Sequence, residues 1–261
     1  MNKNIAKRRT PEEEELYKKR IELATLENTL AQHELDLATL QAQLNLFLTR
    51  YLSTVGLCYS ELDEIKAQIA EIEARLNPQE EVAKDKASKA RQRAYESAKA
   101  TQDIHDLEPP KEFMPSERLK KLYRKVAKKI HPDLCTDEKE RVRRHQLMVE
   151  VNRAYEQGDE ERLQSILEEW ESRPEAIEGE DIATQLIRLI RKLANVKERI
   201  RQIASRMEEL KKSDLYAIYM MAKDAEATGK DLLDEMVKKA NVDILNAKEQ
   251  LRKLKLQKTS V

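Results

Sequence analysis

Four side chains with metal-binding or proton-transfer chemistry lie between positions 131 and 145: His131, Asp133, Cys135 and His145. As a ligand set they are poorly spaced, because structural zinc is usually held by cysteine pairs close in sequence. The two cysteines, Cys58 and Cys135, are far apart and form no such pair. No metal, no cofactor and no enzymatic reaction is expected from them. The other chemistry in this region is charge. From Glu117 to Ile130 seven basic residues face one acid, a local charge of +6 in a chain where 49 Lys and Arg balance 49 Asp and Glu. A basic helix could hold phosphates or steer toward an acidic protein surface. The neutral chain, and the eleven acids against two bases over 156–181, argue against nucleic acid and membrane as partners.

These residues need elements to position them. Ser116 can cap a helix whose apolar residues, Leu119, Leu122, Tyr123, Val126 and Ile130, recur every three or four positions. Lys120, Lys121, Arg124, Lys125 and Lys128 fall on its opposite face. Pro132 disfavours helical backbone at His131, so the helix should stop there and leave His131-Pro132-Asp133 as an exposed loop. Thr136 is the expected cap of a second helix with Leu147, Met148, Val151, Ala154 and Tyr155 inward. Gly158 should end it and Asp159 cap a third, which packs back through Leu163, Ile166, Leu167 and Trp170.

The flanks have a different texture. Charged residues make up 38% of the chain and aromatics 4%, with four glycines and no run that reads as a strand, so the fold class is all-α. Leu16, Leu23, Leu26, Leu30, Leu37, Leu40, Leu44 and Phe47 follow a heptad seam. Its phase shifts past Val55 and Gly56 before resuming at Leu62, Ile65, Ile69, Ile72 and Leu76. An irregularity is therefore expected near Gly56, with Phe47, Tyr51 and Tyr59 packed around it. Asn77 and Pro78 read as the cap and first position of a new, kinked or folded-back helix. A second heptad run begins at Ile182 and continues through Leu210, then from Leu233 to Leu254.

This gives an N-terminal coiled-coil arm over 1–76, an Ala/Lys-rich helix and linker over 77–109, a small helical module over 110–178 and a C-terminal coiled-coil arm over 179–261. The arms are expected to pair antiparallel within one chain and present the module at one end. Pairing between chains, giving a homo-oligomer, is the rival arrangement. No apolar stretch follows the basic N-terminus as in a secretory signal, and no window is apolar enough to span a membrane. A cytoplasmic location is expected.

The stretch "LKKLYRKVAKKIHPD", followed by "MVEVNRAYEQGD" with Asn152, Ala154 and Tyr155, resembles the J domain of DnaJ-family co-chaperones. The likeness covers roughly residues 112 to 158. The usual first helix with its Tyr-x-x-Leu-Gly segment is absent, unless "AYESAKATQDIHDL" supplies it, and Leu134-Cys135 follows the His-Pro-Asp. The resemblance implies a co-chaperone for protein folding and stress response. It would dock on a DnaK-type heat-shock chaperone and stimulate ATP hydrolysis there, while the arms choose an unknown client or location. The implied chaperone-binding residues are His131, Pro132, Asp133, Tyr123, Lys120, Arg124 and Lys125. In that picture Asp133 meets an arginine of the partner and the basic face steers the encounter. The alternative is a structural coiled-coil scaffold that keeps the hairpin without its docking role.

Overall fold

The computed structural model describes residues 10–102, 113–172 and 181–258; all of the elements in them are helical. The expected boundaries at Pro109 and Pro110 and at 178/179 lie outside the described residues. Two compact units form, each from separate stretches of the chain: Met1–Ala42 with Phe113–Lys212, and Gln43–Glu112 with Ser213–Val261.

The first unit is built on α1 (Pro11–Tyr51), whose first 32 residues it contains. Leu16, Leu23, Leu30 and Leu37 bury themselves against Leu189, Leu193, Val196 and Ile203 of α7 (Ile182–Lys211). The two helices run in the same direction. Arg20 bonds Gln185 and, farther along both helices, Glu34 accepts from Arg199, so partners rise together. The antiparallel expectation is therefore corrected. A heptad stripe reads the same in either direction; what decides is that α7 starts beside the first turns of α1.

The segment between them forms α4 (Glu117–Ile130), α5 (Glu138–Glu156) and α6 (Glu160–Glu171). Ser116 caps α4 by accepting the Leu119 N–H, and Asp159 caps α6 by accepting that of Arg162. Gly158 lies between α5 and α6 at φ +72, a conformation that costs glycine least. The cap of α5 is Asp137, not Thr136; its carboxylate accepts the Glu140 N–H. An aspartate one residue closer to the helix takes the capping position.

This hairpin does not stand off the end of the arms. Its core of Tyr123, Val126, Ile130, Val151, Tyr155, Leu163 and Leu167 closes on Ala31, Leu35 and Ala38 along the flank of α1.

In the second unit, five residues, Leu52–Gly56, form a π-helical turn, and α2 (Leu57–Leu76) follows with helical dihedrals at the junction. This is the irregularity expected near Gly56, and Phe47, Tyr51 and Tyr59 do pack beside it. Asn77 ends α2 instead of opening the next helix. Its side-chain and backbone N–H groups both bond Glu73 O, and α3 (Glu81–Thr101) starts after Glu80. α3 folds back antiparallel on α2, tied by Lys86–Glu73, Arg91–Glu64 and Ser97–Asp63. Of residues 94–107, the candidate for a first J-domain helix, Ala94–Thr101 are the end of α3 and 103–107 lie outside the described residues. The wall that closes the hairpin core comes from α1. α8 (Asp214–Ala227) packs near Phe47 and Val55, and α9 (Leu232–Lys258) near Leu62, Ile65, Ile69 and Ile72.

Candidate functional site

Pro132 forces the turn at the end of α4. His131 leaves the helix at φ −55, ψ 131, and Pro132–Leu134 makes a single 3-10 turn before α5. Tyr123 and Asn152 fix the helices on either side of it: the phenol donates to Asn152 Oδ1 at 2.7 Å. The Tyr123 ring also lies 4.8 Å from that of Tyr155, whose hydroxyl is 2.8 Å from Thr39 Oγ1 on α1. Burial pushes the Tyr123 phenol well above its usual pKa, so it stays a neutral donor. Of the residues the resemblance assigns to docking, Tyr123 is thus a core residue that holds the hairpin in shape.

His131 is not exposed. Only 2% of it is accessible, which corrects the expectation of an exposed loop for this residue. Its Nε2 lies 2.9 Å from Glu34 Oε1 on α1. Its Nδ1 accepts the Asp133 N–H at 3.1 Å. The same Glu34 oxygen accepts Arg199 Nε of α7 at 2.7 Å. Burial alone would raise the Glu34 pKa, but the bonds from His131 and Arg199 outweigh it and leave the carboxyl below its usual range. For Arg199, desolvation works against the charge, and the carboxylates of Glu34 and Asp133 more than offset it. Sequence reasoning missed Glu34 and Arg199. The signal that could have found Glu34 is a second stripe, Ala31, Leu35, Ala38 and Ala42, beside the leucine seam; two apolar stripes on one helix imply two partners.

Pro132 and Asp133 are half-buried at the mouth of a groove of about 480 Å³, with Arg141, Val142, His145 and Val149 of α5 along one wall. The basic face of α4 is partly engaged inside the unit. Arg124 bonds Gln32 and Lys128 bonds Asn28 on α1, at 2.8 and 2.9 Å. Lys125 and Lys129 flank Glu171 of α6, and Lys120 pairs with Glu117. Among the described residues no group of three or more His, Cys, Asp or Glu is clustered to hold a metal, and no helix is long and apolar enough to cross a membrane. No family model matches the chain, and neither the curated proteins nor the solved structures contain a match.

Proposed function

We propose that the chain is a J-domain co-chaperone of the cytoplasm, docking on a DnaK-type chaperone and stimulating its ATP hydrolysis. The observation that carries this reading is the Asp133 carboxylate. It sits at the turn of an antiparallel hairpin, 27% exposed, on a backbone held by His131 and between helices clasped by Tyr123, Asn152 and Tyr155. A partly exposed carboxylate on a held backbone suits a charge-assisted bond to a partner arginine, and less entropy is lost when it forms. The basic residues Lys120, Arg124 and Lys125 would raise the rate of encounter with an acidic surface. The nucleotide and its hydrolysis belong to the partner. The α1–α7 and α2–α9 pairs act as intramolecular coiled-coil arms that select the client or its location.

A second reading is favoured by one specific observation. His131 and half of the basic face are consumed by contacts within the chain, as suits a structural scaffold that has kept the hairpin only for its packing. One experiment separates the two. The full chain is added to a purified DnaK-type chaperone in a single-turnover ATPase assay, beside its Asp133→Asn variant. Stimulation by the parent and its loss, by about tenfold or more, in the variant support docking, since a charge-assisted bond in an interface is worth at least that much. Equal rates with both proteins would leave the scaffold reading standing.

A further inference from the structure

The imidazole of His131 connects two things that the hairpin alone could not connect. Its Nδ1 accepts a backbone proton from Asp133, so the ring proton sits on Nε2 and is donated to Glu34. Glu34 is in turn held by Arg199 from the opposite helix. The chain of contacts runs from α7 through α1 to the backbone of the loop. Leu134, the next residue, is buried in the α1–α7 seam, which anchors the loop on its other side. Asp133 itself stays accessible at the groove with this network intact.

We infer that Glu34, braced by Arg199, is a positioning residue for docking: it fixes the ring and tautomer of His131, and through that ring the backbone that aims the Asp133 carboxylate. The inference rests on the docking reading above. Its physical content is the rule that a carboxylate bonded to the far nitrogen of a histidine fixes the orientation and tautomer of that ring. The arms then contribute directly to the docking loop, and the loop is correctly aimed only while α1 and α7 are paired. Because Asp133 is reachable without breaking any bond in the network, these contacts present the loop and do not hide it.

The test uses the full chain with isotope-labelled histidine. In the parent, His131 should show a single tautomer protonated at Nε2, with that proton exchanging slowly with water. In Glu34→Ala, His131 should interconvert between tautomers and the Asp133 amide signal should move. The concentration needed for half-maximal ATPase stimulation should rise about tenfold, the scale on which removing an orienting partner acts. Glu34→Gln keeps an acceptor for Nε2–H and should restore both the spectrum and most of the stimulation, whereas Glu34→Leu should not. If Glu34→Ala lost helicity, Arg199→Gln would carry the test: the tautomer is kept, but the Nε2 proton exchanges faster and stimulation weakens. An unchanged imidazole spectrum and Asp133 amide in Glu34→Ala, or unchanged proton exchange in Arg199→Gln, would overturn the inference. So would stimulation above the parental level, which would show that the arm conceals the loop. If Asp133→Asn stimulates as well as the parent, the docking reading fails, yet the imidazole spectra still decide whether Glu34 positions the loop.

Discussion

Two carboxylates, Glu34 and Asp63, are each almost fully buried on long helices, and they are neutralised in different ways. Asp63 on α2 accepts a hydrogen bond from Ser97 on α3 at 2.6 Å, with Arg93 at 3.5 Å. Its partners lie close in sequence, and the arginine is 76% exposed. Glu34 draws its partners from 97 and 165 residues away, and one of them, His131, is as buried as the carboxylate. Asp63 ties one helix to the helix that folds back on it. Glu34 ties three elements that only the tertiary fold brings together, so its removal should be felt farther. Where the partners come from, more than the depth of burial, sets how much structure each carboxylate organises.

The comparison can be broken most directly by deleting both groups in turn. Glu34→Ala leaves Arg199 and His131 without their shared acceptor. The expected loss is about 2 kcal/mol, below the usual figure for breaking a buried pair because Arg199, 36% exposed, can turn to solvent. Hydrogen exchange should read this as roughly 30-fold faster exchange of α7 amides. Unaffected α7 amides would show that Glu34 organises no more than its own helix. Asp63→Ala should cost about 1 kcal/mol, the scale of one hydrogen bond, since an arginine as exposed as Arg93 adds little. Faster exchange should be confined to α2 and α3, and a response in α7 would erase the distinction.

Acid offers a smaller effect. The Glu34 carboxyl lies below its ordinary value of 4.5, and the bonds from Lys197 and Lys19 lower that of Glu22 to about 2. A carboxyl depressed by folding stabilises the fold above its ordinary value and loses that contribution as pH falls through the folded value. Protection of the α1–α7 amides should therefore hold above about 4.5 and decline between there and about 2. Salt should blunt the part owed to Glu22, whose side chain is partly exposed. Protection that stays flat through this window would remove the two carboxylates from the account of α1–α7 pairing.

Much of the local structure was legible because its causes act within one helical turn. Ser116 caps α4 through its own hydroxyl, Gly158 supplies a left-handed backbone, and Pro132 stops the helix it follows. The break in the heptad phase located the π-helical turn. Direction was not legible: the leucines of α7 would fit α1 from either end, and nothing local in the seam encodes which. The burial of Glu34 was hidden for a related reason. It flanks the seam at a position normally exposed in a two-helix pair, and it becomes interior only because the hairpin covers that flank. His131 was misjudged with it, since a loop set off by proline reads as solvent-facing until a second element is seen against it.

The π-helical turn has a consequence for how this gene can change. The Leu57 N–H reaches back five residues to Leu52 O, so Leu52–Gly56 accommodates one residue more than an α-helix would. Upstream, Phe47 faces α8; downstream, Leu62, Ile65, Ile69 and Ile72 face α9. Loss of a single codon in this stretch would close an ordinary turn and leave the later side chains of α2 nearly in phase, whereas the same loss within α2 itself would rotate every later side chain by about 100°. A deletion in the first turn of α2, ahead of Leu62, would swing the four apolar residues away from α9 together, although none of them had been altered. At the π-turn an in-frame deletion of one residue is absorbed locally, while in the regular helix it is paid for along all that follows. Over these five positions, length is constrained less tightly than in the helices on either side.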